Sequence, residues 1–177
     1  MRIKAKGCGL ANVEDYRRDK VLDDITLLSK GYEEIDGDFW SGVNRVNTYR
    51  ENDRTFHVVY RDVLERAYPA MFFRDSNNFV GFVSHMDEQY LYIEDLNVEY
   101  LMKQKMWGLE PRNLEQAMAL YLLTHDKIDM TIMTGPAGSG KTLLALASGL
   151  HAILEEKRYD KLIVARSTPP IAEDIGF

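Results

Sequence analysis

Hydrophobic positions change period along this chain, and each change marks a zone. In VEDYRRDKVLDDITLL (13–28), Val21, Ile25 and Leu28 recur at helical spacing among many charges. Gly7 and Gly9 interrupt the stretch before it. This first zone, residues 1–40, is predicted helical, and its few apolar residues cannot close a core alone. From 41 to 96 the pattern alternates. TFHVVYR (55–61) sets Phe56, Val58 and Tyr60 on one face. AMFFRD (70–75) and FVGFVSHM (79–86) flank the turn-like Ser76-Asn77-Asn78, and QYLYIEDL (89–96) follows Asp87-Glu88. Three or four short strands with tight turns predict a small antiparallel sheet or partial barrel.

From about 97 the period returns to helical. Asn113 precedes LEQAMALYLLT (114–124), whose Leu114, Ala117, Met118, Tyr121 and Leu122 share one stripe. A strand is predicted over IDMTIMT (128–134). LLALASGLHAILEEK (143–157) follows with a broad apolar face, and then a second strand, KLIVAR (161–166). Strand, helix and strand at this spacing make one βαβ unit, so the fold class is α/β. The zones are 1–40, a β-rich connector at 41–107, and an α/β segment at 108–177.

Composition narrows the class. Hydrophobic residues are 45% and charged residues 28% of 177, enough for a packed core. The net charge of -6 gives no basic footprint of the kind that by itself announces nucleic-acid binding. One cysteine, Cys8, cannot form an intramolecular disulfide, which suits a reducing cytoplasm. No apolar run approaches the roughly 18 residues of a membrane span, and the start lacks the apolar region of a signal peptide. A cytoplasmic location without membrane partners is therefore expected.

GPAGSGKT, Gly135 to Thr142, joins the first predicted strand of the βαβ unit to its helix. Gly135, Gly140, Lys141 and Thr142 meet the phosphate-loop pattern G-x-x-x-x-G-K-[ST] in the context that pattern requires. Backbone N–H groups of Gly135, Pro136's successor Ala137, Gly138, Ser139 and Gly140 can turn inward as an anion nest. The following helix aims its positive end at the same place. Lys141 is expected to reach the β- and γ-phosphates of ATP, and the Thr142 hydroxyl to ligate Mg²⁺. Upstream, Asn113 can cap its helix. Gln116 has two readings: a capping-box partner reaching back to the Asn113 N–H, or a side-chain amide that grips the adenine edge. After Thr142 the acids are Glu155, Glu156, Asp160, Glu173 and Asp174, and none closes an apolar strand as a Mg²⁺-holding aspartate does. Two parallel strands also make a poor sheet. The expectation is a chain cut inside its nucleotide-binding domain.

MTGPAGSGKTLLALA followed by LIVARSTPPIAEDIGF resembles the PhoH family of bacterial ATPases. Arg166, Pro169, Pro170, Asp174, Gly176 and Phe177 match that family's loop and its D/E-x-GF element, and Asn113 and Gln116 match its glutamine-containing stretch, which favours adenine recognition. The resemblance covers about 108–177. It implies the start of a RecA-like phosphate-loop domain, with ATP and Mg²⁺ as cofactors. Longer members carry a PIN ribonuclease domain in front, and residues 1–40 resemble its C-terminal tail. None of the nuclease's metal-binding acids is carried over, and Asp15, Asp23 and Asp24 are read as solvated helix charges. The whole protein would then be an ATP-driven ring of identical subunits that unwinds or degrades RNA. This chain would supply the nucleotide cradle, binding ATP without efficient hydrolysis. The alternative is a non-catalytic nucleotide-binding module complete as it stands.

Other signals are weaker. The aromatic residues of the middle zone ordinarily mean core packing, and their alternative is base stacking. The four histidines, at 57, 85, 125 and 151, have no metal-ligand spacing. Lys103, Lys105, Arg17 and Arg18 read as solvated surface. Arg166 can contact phosphate or RNA, or pair with Glu173 or Asp174.

Overall fold

The computed structural model describes residues 31–165. The predicted helix at 13–28, Cys8, and the family-like residues from Arg166 to Phe177 lie outside them. Six strands form one sheet: β1 (Tyr32–Ile35), β2 (Val46–Glu51), β3 (Arg54–Tyr60), β4 (Phe72–Asp75), β5 (Phe79–Met86) and β6 (Tyr90–Asn97). Their order is β1-β4-β5-β6-β3-β2. The four strands read from alternation are present as β3 to β6. The sheet is larger than expected and not purely antiparallel, because β1 joins β4 in parallel. β1 also draws residues 32–35 of the first zone into the sheet. Alternation could not show β1, YEEI, whose central glutamates are exposed, or β2, VNTYRE, exposed throughout.

Local chemistry sets the turns. Asn52 and Asp53 both take positive φ, 49° and 62°, between the paired Glu51 and Arg54. That is the two-residue primed turn whose twist suits a hairpin, and Asn and Asp tolerate its backbone. Between β4 and β5 the buried Asp75 carboxylate accepts N–H bonds from Asn77 at 2.8 Å, Phe79 at 2.9 Å and Phe39 at 3.2 Å. It thereby ties the chain after β1 to the β4–β5 turn.

Both faces of the sheet are used. Met71, Phe73, Val83, Leu91 and Ile93 pack on one side beneath Phe39 and Leu64. Phe39 opens a 3₁₀ turn, Phe39–Gly42, and Leu64 ends another, Arg61–Val63. On the other side Phe72, Val80, Phe82 and Leu96 meet Leu101 of α1 (Val98–Met102) and Ala117, Met118 and Tyr121 of α2 (Leu114–Thr124). The opposite side of α2 buries Leu120 against Met106 and against Leu144 and Ala147 of α3 (Lys141–Leu154). The helical stripe is therefore wider than the one read from sequence, because α2 has two partners. Tyr121 donates to the buried Glu94 carboxylate at 2.6 Å, and Arg54 approaches the same group at 3.6 Å.

The predicted strands at 128–134 and 161–166 are corrected. Residues 128–134 and 161–165 form no strand ladder. A strand is defined by its hydrogen-bonded neighbour, and these segments meet none among the described residues. Met130 and Ile132 are 77% and 72% exposed, and Ile163 and Val164 are 77% and 63% exposed. The second segment nevertheless returns to α3. Leu162 stands where a Cβ at Gly149 would be, 2.7 Å from its Cδ1.

Two outcomes test this packing. A Cβ at Gly81 would lie 2.2 Å from the Phe73 ring and 2.9 Å from Ile93. Gly81→Ala is expected to lower the urea-unfolding free energy by about 2 kcal/mol, as overpacking does. His125 packs against the rings of Phe82 and Tyr121. Burial, with a smaller contribution from the Arg54 charge, holds its pKa below the ordinary value. Below pH of about 6.5 the unfolded chain takes up this proton before the folded one does, so stability falls with acidification. Urea midpoints at pH 7 and pH 5.5 should drop more for the wild type than for His125→Gln.

Candidate phosphate-loop site

The loop Gly135–Gly140 runs on the surface into the first turn of α3. Gly138 and Gly140 have φ of 79° and 87°, the left-handed region that a side chain resists. Gly140 serves as the N-cap of α3, and no side chain caps that end. The first N–H groups of any helix lack intrahelical acceptors. Here those donors, and the positive end of the helix dipole, meet the loop without a competing side-chain oxygen. This arrangement fits a phosphate group.

Lys141 sits over the loop. Its Nζ donates to the Gly135 carbonyl at 2.9 Å, the Pro136 carbonyl at 2.6 Å and the Ser139 hydroxyl at 3.0 Å. The ammonium is thus already held at the mouth of the cradle by uncharged acceptors. Phosphate oxygens are stronger partners for it, because hydrogen bonds between ionised groups are roughly twice as strong as neutral ones. Thr142 is exposed in the first turn of α3. Ala137 is exposed at the loop tip. Six of the candidate residues, Gly135, Pro136, Ser139, Gly140, Lys141 and Gln116, are linked by close contacts, and Asn113 joins them through Gln116.

Gln116 is the side chain that fastens the loop to the rest of the molecule. Asn113 caps α2, its side chain accepting from the Gln116 N–H at 2.9 Å. The Gln116 amide then works in two directions. Its Oε1 accepts from the Arg112 N–H at 2.8 Å, and its Nε2 donates to the Ser139 carbonyl at 3.0 Å. The capping box read from sequence is displaced by one residue, since the N–H reached is that of Arg112 and not of Asn113. The bond to Ser139 spans 23 residues of sequence, and local spacing carries no signal for it. A Cβ at Gly140 would come within 3.3 Å of the same Nε2, so the loop passes close over the amide.

At the far end of α3, Arg158 donates to the Asp126 carboxylate at 2.9 Å and its N–H to the Ala152 carbonyl at 2.8 Å. Asp126 follows α2, so the two helices are tied at both ends. Glu155 and Glu156 lie beside His151. Among the described residues no three His, Cys, Asp or Glu side chains gather as a metal site.

The tether predicts a result that does not depend on the base. Gln116→Ala removes two hydrogen bonds, each worth about 1 kcal/mol, from the loop and its anchor. Binding of inorganic tripolyphosphate, measured by calorimetry, should weaken about tenfold. An unchanged affinity would leave Gln116 without a role in shaping the loop.

Residues 108–177 match the family described as PhoH-like protein. Protein PhoH2 of Bacillus subtilis (strain 168) is 32% identical over 186 residues, an alignment that covers all of this chain and 38% of the relative. Protein PhoH2 of Mycolicibacterium smegmatis is 27% identical over 181 residues, covering all of this chain and 37% of the relative. Protein PhoH2 of Thermobispora bispora is 43% identical over 75 residues, 42% of this chain and 17% of that protein. No solved structure matches. The chain thus spans little more than a third of the length of the relatives that it matches throughout. The glycine loop lies inside the matched segment, so the likeness to the PhoH-like family extends over the candidate site.

Proposed function

We propose that this chain is the ATP-binding portion of a PhoH-like phosphate-loop ATPase with a RecA-like core. The observation that carries the reading is the loop itself: left-handed glycines at 138 and 140, an uncapped helix N-terminus, and Lys141 poised over the cradle. Each feature suits a polyanion, and the sequence around them is PhoH-like.

In this reading the triphosphate lies in the bend of Gly135–Gly140. Lys141 exchanges its carbonyl and hydroxyl partners for β- and γ-phosphate oxygens. Thr142, at the start of α3, offers its hydroxyl to Mg²⁺, which would neutralise charge across the β- and γ-oxygens. Gln116 keeps one amide hydrogen and one oxygen lone pair beyond the two bonds it makes. Those suit the adenine edge, one donor and one acceptor, with Asn113 holding the helix end that presents them. Efficient hydrolysis needs a carboxylate at the end of a further strand and a group that positions water. Glu155 and Glu156 are engaged around His151 and Arg158 at the wrong end of α3, so this chain binds ATP and turns it over no more than slowly.

For the whole protein we propose an ATP-driven ring acting on RNA, unwinding or degrading it together with a PIN-type nuclease. The resemblance supports this, and the cytoplasm is where RNA and ATP meet.

A labelled ATP analogue titrated against the 177-residue chain tests the cradle. Lys141→Ala should weaken binding tenfold or more, while the melting temperature stays near that of the wild type, since Nζ lies at an exposed loop. Equal binding by the variant would sink the cradle. Turnover above trace by the wild type, lost in the variant, would sink the claim of slow hydrolysis and leave the binding site standing.

A further inference from the structure

The face of the sheet that carries α2 is only half covered. Antiparallel partners share a face, so the register places Tyr49 beside Phe56, Asn47 beside Val58, Val58 beside Tyr92, and Tyr60 beside Tyr90. Two residues further along β6 on the same face, Glu94 lies beneath Tyr121 of α2. Beyond that point no helix covers β2, β3 and the start of β6 among the described residues. What remains there is an open groove of about 590 Å³, within the range of ligand sites. Tyr49, Tyr60, Tyr90, Tyr92 and Arg45 dominate its lining, with Asn47 between them.

Most aromatic residues of the sheet are sorted by this boundary, the exception being the half-buried Phe56 on the groove side. Phe39, Phe72, Phe73 and Phe82 are buried in the two cores. The groove uses tyrosines, and Tyr49 and Tyr60 are 40% and 38% exposed. The rings are ordered. Tyr60 and Tyr90 stack with centroids 5.2 Å apart, and Tyr49 stacks on Phe56 at 5.3 Å. A hydrogen bond from Arg45 lowers the Tyr60 hydroxyl pKa, and the hydrogen bond between Tyr60 and Tyr90 raises that of Tyr90. Among the described residues no carboxylate lines the groove. Asp87, which accepts from the Tyr92 hydroxyl at 3.2 Å, is also occupied by the Gln89 and Tyr90 N–H groups at 2.8 and 2.7 Å.

We propose that this tyrosine groove over β2, β3 and β6 is a platform for single-stranded RNA, its bases stacking on the exposed tyrosine rings and a phosphate meeting Arg45. The choice of RNA rests on the reading of the whole protein given above, and the groove's chemistry agrees with it. An occupant must offer flat apolar faces to rings and negative charge to a guanidinium. A protein surface seeking an apolar partner would find few aliphatic side chains here, whereas unpaired bases stack on any aromatic face and carry a phosphate at every step. In a chain of net charge -6, a groove whose lining charge among the described residues is one arginine is set apart from the rest of their surface. It also lies on the side of the sheet that bears α2 and the phosphate loop.

The test is fluorescence anisotropy of a labelled single-stranded uridine oligomer of about 12 nucleotides, within the span such sites cover, titrated with the 177-residue chain. Tyr49→Ala and Tyr90→Ala should each weaken binding about tenfold. Tyr49→Phe and Tyr90→Phe keep the ring and should stay within about threefold of wild type, which also controls for folding. Arg45→Gln should flatten the salt dependence by about one phosphate contact. A duplex of the same length should bind at least tenfold more weakly. ATP-analogue binding by the tyrosine variants should be unchanged. If the wild-type chain binds ATP but not the oligomer, or if the alanine variants bind the oligomer as wild type does, the platform is overturned and the nucleotide site is untouched. Duplex binding as tight as single-strand binding overturns it as well. If the oligomer binds through the tyrosines but ATP does not bind, the nucleotide reading fails and the platform stands.

Discussion

Helix α2 is buried from two sides, and the placement of everything chemical in this chain depends on that. Ala117, Met118 and Tyr121 face the sheet, while Leu120 faces α3. A helix with two apolar faces has no freedom to roll. Rotation by one residue, about 100°, would pull Leu120 out of one interface and Met118 out of the other. The residue at its N-terminal turn, Gln116, is therefore delivered to a fixed place, and it is Gln116 that holds the Ser139 carbonyl of the phosphate loop. The loop is exposed and rich in glycine, so it cannot hold a geometry through its own packing. Its shape is borrowed from α2 at one end and from α3 at the other.

The polar pair beneath α2 sharpens this placement. Burying Glu94 costs free energy unless its oxygens are satisfied. Tyr121 supplies a hydrogen bond at 2.6 Å, and Arg54 lies 3.6 Å away, reaching in from the solvent side. Burial and the Glu94 contact together raise the Tyr121 hydroxyl far above its ordinary pKa, so it stays a donor at every pH the protein meets. A hydrogen bond between buried partners is worth about 1 kcal/mol net when made and more when left unmade. The pair therefore acts mainly by excluding other registers. If α2 slid by one turn, the carboxylate would be stranded. Asp75 does the same for the other end of the sheet, where three N–H groups converge on it.

What could be read from sequence divides along physical lines. The helix at 114–124 and the strands β4 to β6 were legible because each buries apolar residues along its length, and β3 because its residues are β-branched and aromatic, although only Val59 of it is buried. The glycine loop was legible because its backbone constrains residue type directly: the left-handed turns at 138 and 140 require glycine. β2 was hidden because no stripe of it is buried, and β1 because its pairing to β4 depends on backbone contacts 40 residues apart in sequence. Leu120 was missed because a one-faced helix was assumed. The error at 128–134 and 161–166 has the opposite cause. Those segments carry strand-like apolar residues, and apolar residues report what a segment can bury, not whether a neighbouring strand is there to bury it. The tether from Gln116 to Ser139 joins residues far apart in sequence, and no periodicity speaks to such a bond.

The division between phenylalanine and tyrosine on the sheet, from which only the half-buried Phe56 departs among the groove-side rings named, follows from the same two-sided helix. Because α2 must also reach α3, it lies over β4, β5 and the end of β6, and it cannot extend across β3 and β2. The uncovered strands still need wide, apolar side chains to stabilise their cross-strand pairs. Phenylalanine there would leave greasy edges in water. Tyrosine supplies the same ring for pairing and places a hydroxyl where the solvent is, and the Tyr60–Tyr90 and Tyr92–Asp87 contacts show those hydroxyls in use. The sheet's own stability thus suffices to explain why tyrosines stand there. It does not explain Arg45, which adds a positive charge beside two tyrosine hydroxyls without a carboxylate to pair with among the described residues of the groove lining. Structural need accounts for the rings; the unbalanced cation beside them is the feature that calls for an anionic ligand.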